Sequence, residues 1–159
     1  MSDIYKILAD LDIIYDKYEH PPVFTCEEAE KYDRDIEAGK CKNLFLRNKK
    51  GDSHFLVIIN SDKKIDLNSL AEKISESKLS FASEERLKGC LDLTTGAVSP
   101  FGLINDLRKE VQVIIDNDLL KYAKLSFHPN VNTASLIIGV EDFKKFLDWT
   151  SNRYKFLEL

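Results

Sequence analysis

Three places along this chain combine residue types that could do ester chemistry. The first is Gly96-Ala97-Val98-Ser99-Pro100-Phe101-Gly102, set between the apolar run Cys90–Leu93 and Leu103-Ile104. Glycine reaches positive φ and lets other groups approach its backbone, while proline fixes its own φ and restricts its predecessor. Such a loop is stiff and can aim bare amides outward, the donor array that stabilises charge on an ester carbonyl during hydrolysis. The same pattern also describes an ordinary turn between two strands. The second place is Lys42, at the head of the apolar stretch Cys41–Arg47. Period-two alternation puts Lys42, Leu44 and Leu46 on one face of a strand and Asn43, Phe45 and Arg47 on the other. A lysine there either snorkels from a strand end to water or presents its ammonium to a ligand. The third is His128-Pro129-Asn130-Val131-Asn132-Thr133, a turn leading into an apolar run. Ser99 precedes a proline and has no base nearby in sequence, so it is expected to be structural rather than a nucleophile.

Other chemistries have little support. Cys26, Cys41 and Cys90 are odd in number, widely spaced and without a C-x-x-C pair, and the three histidines form no H-E-x-x-H motif. No disulfide framework, metal or cofactor is expected. A formal net charge of −4 argues against indiscriminate coating of nucleic acid. Locally, however, Lys40 to Lys50 carries Lys40, Lys42, Arg47, Lys49 and Lys50 with no acid among them. That run is either a solvated face or a small basic edge able to meet a few phosphates. With 159 residues, 43% hydrophobic and 31% charged, the chain is expected to form one soluble domain over residues 1–159. It has no apolar run of membrane-spanning length, and Met1-Ser2-Asp3 lacks the basic segment and apolar core of a signal peptide. The expectation is a cytoplasmic protein that engages neither membrane nor DNA.

The elements that must position these residues follow from periodicity. Ser2 is expected to cap a helix with Ile4, Ile7, Leu8 and Leu11 on one face, followed by a strand over Ile13–Glu19 stopped by His20-Pro21-Pro22. Thr25-x-x-Glu28 has the form of a capping box, predicting a helix from Thr25. Cys41–Arg47 and Ser53–Ile59, separated by Asn48-Lys49-Lys50-Gly51, predict a hairpin. Asp66 is expected to cap a helix through Ile74, with a short extended Lys78–Phe81 after it, and Ser83 a brief helix ending at Gly89. Val111–Ile115, Ala123–Phe127 and Asn132–Val140 predict strands, the first two joined by one or two helical turns, before a final helix over Glu141–Tyr154. This order implies a mixed α/β (α+β) fold: a largely antiparallel mixed sheet surrounded by helices.

Taken together, Tyr18-Glu19-His20-Pro21-Pro22-Val23-Phe24-Thr25, Lys42-Asn43-Leu44-Phe45-Leu46, the Gly96–Leu103 loop, and His128-Pro129 with Asn132-Thr133 resemble the bacterial aminoacyl-tRNA editing family. That family includes the YbaK proteins and the inserted editing domain of prolyl-tRNA synthetase; within it, the PrdX and ProXp-ala branch is the most similar. The resemblance spans nearly the whole chain. It implies hydrolysis of alanine wrongly esterified to the 3′ terminal adenosine of tRNA(Pro), without a cofactor, by water assisted by the substrate's own ribose hydroxyl. It also implies catalytic positions at Lys42, Gly96 and His128, with His128 supporting the loop, contacting substrate or placing water. Substrate contacts are implied for Thr25, Asn43, Phe45, Ala97, Val98, Ser99, Pro100 and Asn132, and Phe24, Thr25 and Phe45 are candidates for setting pocket size. Lys40, Arg47, Lys49 and Lys50 are where tRNA contact is expected, and prolyl-tRNA synthetase is a second candidate partner. A cysteinyl-tRNA(Pro) deacylase of the YbaK type, and a non-catalytic module sensing an amino acid or tRNA, are the alternatives.

Overall fold

The computed structural model describes residues 3–22 and 38–159. The expected Thr25 helix, together with Phe24, Thr25 and Cys26, lies outside the described residues. Eight strands form one mixed sheet with the order β1-β7-β6-β2-β3-β5-β8, and β4 also pairs with β2. The strands are β1 (Tyr15–Glu19), β2 (Gly39–Asn48), β3 (His54–Asn60), β4 (Leu79–Phe81), β5 (Val111–Asp116), β6 (Lys124–Phe127), β7 (Ala134–Gly139) and β8 (Tyr154–Leu157). Of the seven pairings, β1–β7, β6–β7, β2–β3 and β2–β4 are antiparallel, while β2–β6, β3–β5 and β5–β8 are parallel. The sheet is therefore mixed, with antiparallel pairs only narrowly in the majority.

Among the described residues four helices accompany it: α1 (Ile4–Asp10), α2 (Leu67–Lys73), α3 (Glu84–Leu91) and α4 (Val140–Thr150). α1 is capped by Asp3, whose carboxylate accepts the Tyr5 amide at 2.9 Å, and not by Ser2. α3 begins at the Ser83 cap but runs through Gly89, because Asp92 takes the left-handed cap position at φ 54°. Asp66 caps α2 as the sequence implies. β8 was not expected. Its residues follow Asn152-Arg153 after α4, where the apolar pattern also continues the helix, and only its parallel pairing with β5 makes them a strand.

Alternation along the strands divides the apolar residues between two cores. The larger packs α1, α3, α4 and a 3₁₀ segment, Pro100–Asn105, against Phe45, Leu56, Ile58 and Val113 of the sheet. The smaller lies on the other face, where Leu70 and Ala71 of α2 cover Leu46, Phe55, Val57 and Ile59. No helix among the described residues is long and apolar enough to cross a membrane.

Candidate active site

β2 is the element to which the site is tied, because it changes partners along its length. One edge pairs with β3 from Cys41 to Arg47. The opposite edge meets β6 at Gly39 and Lys40 and then β4 at Leu46 to Asn48. The parallel register Gly39↔Leu125 and Lys40↔Ser126 places the end of β6, and the turn at His128 that follows it, next to the start of β2.

Lys42 lies on the smaller-core face with Leu44 and Leu46, opposite Ile59. Its Nζ donates to the Lys63 carbonyl at 2.7 Å. Lys63 is itself anchored: its ammonium meets Asp116 at 2.7 Å and Asp118 at 2.5 Å, and donates to the Leu159 carbonyl at 3.1 Å. These carboxylates hold the Lys63 pKa above its ordinary value. Asn43 and Phe45 project to the opposite face. Phe45 is buried in the larger core and stacked on His54, with ring centroids 5.6 Å apart. Asn43 Oδ1 is buried without a hydrogen bond.

The Gly96–Gly102 loop does not join two strands: it runs from α3 into the 3₁₀ segment at Pro100. Gly96 has φ +93°, the left-handed region that a side chain disfavours. Ser99 is wholly buried, and its Oγ accepts the Phe101 amide at 3.1 Å, capping the segment at the position before proline. Among the described residues no base is hydrogen-bonded to Ser99, which serves as the cap of the 3₁₀ segment. The Ala97 amide closes a turn on the Thr94 carbonyl at 3.1 Å, so it is not available to a ligand, contrary to the array expected over all of Gly96–Ser99. Among the described residues, the amides of Gly96, Val98 and Ser99 carry no hydrogen bond.

The third segment is docked onto this loop. Asn130, at φ +66°, donates Nδ2 to the Phe101 carbonyl at 3.3 Å, while its Oδ1 is buried without a partner. Two turns are thereby fastened by one side chain. His128 Nδ1 lies 2.9 Å from the Ala134 carbonyl. A carbonyl only accepts, so Nδ1 carries the proton in that contact. Asn132 is half-buried in the same turn. His20 joins the site through β1–β7 pairing: its amide donates to the Thr133 carbonyl at 2.9 Å, and its ring lies 6.1 Å from that of His128. From the sequence His20, ahead of Pro21-Pro22, is expected to be a turn residue, and Asn130 is given no role of its own. The signal for Asn130 was its type, since asparagine is among the few residues that settle at positive φ.

The basic stretch does not form one patch. Lys40 is on β2 beside Ser126, whereas Lys49 and Lys50 are exposed in the hairpin turn. Lys40 and Lys49 are nine residue steps apart, about 30 Å of extended chain. Arg47 folds back onto the carbonyls of Asn48 and Lys49, both at 3.2 Å. Only Arg47, Lys49 and Lys50 share a neighbourhood, and Arg86 joins them through a 3.0 Å bond to the Gly51 carbonyl.

The structure thus fastens an amide-bearing loop to the histidine turn on the larger-core side, while Lys42 lies on the other face of β2. The family model for the aminoacyl-tRNA editing domain matches residues 20–146. The chain is 47% identical over 152 residues to the prolyl-tRNA editing protein ProX of Acetoanaerobium sticklandii, covering 96% of this chain and 93% of that one. It is 34% identical to the prolyl-tRNA synthetase associated domain-containing protein 1 of Xenopus laevis, covering 95% and 92% respectively. A crystal structure of a candidate trans-editing enzyme for prolyl-tRNA synthetase superimposes with a TM-score of 0.70 at 18% identity, covering 98% and 96%, a likeness of fold. The match contains Lys42, the Gly96 loop and the His128 turn, and the chain belongs to the aminoacyl-tRNA editing domain family.

Proposed function

We propose that this protein is a free-standing aminoacyl-tRNA deacylase that removes alanine from mischarged tRNA(Pro). The observation that carries this reading is the pair of amides at the partly exposed residues Gly96 and Val98, without a hydrogen bond among the described residues and held in shape by the Ser99 cap, Pro100 and the Asn130 bond to Phe101. Water attacks the ester carbonyl carbon, the carbonyl oxygen takes up negative charge, and those amides receive it. The acyl–oxygen bond then breaks, the proton from water passes to the departing ribose oxygen, and alanine and tRNA leave.

Lys42 supports the reading as a fixed cation. One of its three N–H donors is held by the Lys63 carbonyl, which leaves two for a carbonyl or phosphate oxygen of the aminoacyl-adenosine end. It orients and does not attack. His128, with Nδ1 committed to Ala134, is set to position water or the ribose. Alanine is the favoured acyl group because a synthetase pocket built for proline rejects a smaller side chain weakly, by about 1–3 kcal/mol per missing methylene. A second site that excludes proline can then remove the error.

Deacylation of Ala-, Cys- and Pro-tRNA(Pro) tests this directly. Alanine release should be fastest, and equal rates on all three would overturn the assignment. Lys42→Ala should lower kcat/KM by about 100-fold or more, the scale of losing one transition-state donor, while the circular dichroism spectrum stays unchanged. Turnover like that of the wild type would remove Lys42 from the mechanism.

A further inference from the structure

Among the described residues, the exchange of partners along β2 leaves a gap in the sheet. β6 pairing stops at Lys40↔Ser126, and on the same edge β4 pairing starts at Leu46↔Phe81, preceded by the Ala82 amide on the Phe45 carbonyl at 3.0 Å. That bond tells which way the backbone faces. The Lys40 carbonyl accepts the Ser61 amide and the Asn48 amide donates to Ser53, so even-numbered residues of β2 turn their polar groups toward β3. Odd-numbered residues therefore turn theirs to the other edge. The carbonyl of Cys41 and the amide of Asn43 point into the gap, and no described strand pairs with them there. Burial agrees: Cys41 to Leu44 are partly exposed, whereas Phe45 and Leu46 are buried.

The opening runs four residue steps along β2, from Cys41 to Phe45, or about 13 Å at roughly 3.3 Å per residue. That is shorter than a usual strand of five or six residues, about 17–20 Å. A flat heteroaromatic ring lying in the plane of the sheet fits. A carbonyl and an amide two residues further on, facing the same way, make an adjacent acceptor and donor. Adenine presents the matching pair on its Watson–Crick edge, an N6 amino donor beside an N1 acceptor, and recognition through that edge is how proteins commonly read an unpaired base. Hypoxanthine presents the reverse, an N1–H donor beside an O6 acceptor. At the same residue, the partnerless Oδ1 of Asn43 is a further unfilled acceptor.

We propose that the Cys41 carbonyl and the Asn43 amide, in the gap between β6 and β4, bind the Watson–Crick edge of the terminal adenine. This rests on the reading of the substrate as an ester of that nucleoside and adds the means by which its base is recognised. Backbone groups make the contact, so side-chain substitution does not abolish it. Lys42 emerges on the opposite face of the strand from the Asn43 side chain, where it meets the ester end or phosphate while the base fills the gap.

The test varies the base and leaves the protein intact. Release of alanine would be followed from 3′-O-alanyl esters of adenosine, inosine and 7-deazaadenosine. Replacing adenosine by inosine should lower kcat/KM about 5- to 150-fold, whereas 7-deazaadenosine, altered only on the other edge, should stay within about two-fold. In parallel, the ¹⁵N–¹H resonance of Asn43 should shift on adding unreactive 3′-alanylamido-3′-deoxyadenosine and stay in place with its inosine counterpart. Equal hydrolysis of the adenosine and inosine esters, with the Asn43 resonance unmoved, would overturn the base site and leave the deacylase standing. Hydrolysis of neither ester with the resonance shifted by the adenosine analogue alone would do the opposite. Neither hydrolysis nor a shift would overturn both.

Discussion

Two buried aspartates anchor the two faces of β2 by different means. On the loop side, Asp106 follows the 3₁₀ segment and accepts the amides of Glu110 at 3.1 Å and Val111 at 2.9 Å, plus Asn152 Nδ2 at 2.8 Å. All its partners are neutral donors on fixed backbone or on a buried amide. On the lysine side, Asp116 is fully buried and meets a cation, the Lys63 ammonium at 2.7 Å, while its Oδ1 accepts the Asp118 amide. The arrangement suits what each face carries. An amide cradle must keep angles, and neutral bonds to backbone fix them. A lysine side chain must be held at one end and free at the other, and a single carbonyl on an ion-paired turn does that.

Removing the cation should have the largest effect. Lys63→Ala strips the counter-charge from Asp116 and should cost about 3–5 kcal/mol in urea denaturation, the usual penalty for leaving one partner of a buried pair. It should also release the turn whose carbonyl holds Lys42, raising KM and lowering kcat together. A loss below about 1 kcal/mol would show that water substitutes for the ammonium, and the contrast between the faces would lapse.

Asp106→Ala should cost less, about 1–3 kcal/mol, because Asn152 Nδ2 keeps its bond to the Val111 carbonyl and Glu110 is exposed to water, which leaves one buried neutral donor, the Val111 amide, unsatisfied. Its effect should concentrate on the loop, so kcat should fall with little change in KM. A larger loss than for Lys63→Ala would reverse the ranking, making the neutral anchor the stronger one.

Much of this was legible in the sequence, and what was not shares a cause. Period-two alternation from Cys41 to Arg47 separated Lys42 from Asn43 correctly, since side-chain facing in a strand is local. Asp66 and Ser83 announced their helices because capping is local too. Pairing is not local. Nothing near Tyr154–Leu157 says that β5 needs a parallel neighbour, nothing near Lys40 says that β6 ends two residues later, and so β8 and the gap in the sheet were invisible. The residues of the Gly96 loop suggest an array of amides, but the turn that occupies the Ala97 amide depends on Thr94. The basic run was misleading for a geometric reason: adjacent letters in a strand are a third of a nanometre apart, and Lys40 and Lys50 stand at opposite ends of β2.

The smallest effect tests whether titration touches the loop-side face at all. His54 sits at the start of β3, stacked on Phe45, and its Nε2 lies 3.0 Å from the Arg86 guanidinium. Arg86 can only donate, so that ring nitrogen accepts and the imidazole is neutral. Burial, and next the Arg86 charge, push its pKa below the ordinary 6.5. Above that value both folded and unfolded chains hold His54 neutral and it contributes nothing to the pH dependence. As pH falls through about 6.5, the unfolded chain binds the proton first, so stability declines until the folded pKa is passed. One proton limits the slope to about 1.4 kcal/mol per pH unit, and partial exposure of the ring keeps it well under that. Urea denaturation at pH 7.5, 6.5 and 5.5 should therefore show a slope that His54→Gln reduces, while Lys63→Ala leaves this increment in place because it acts on the other face. An unchanged slope in His54→Gln would mean that the acid sensitivity of this face lies elsewhere.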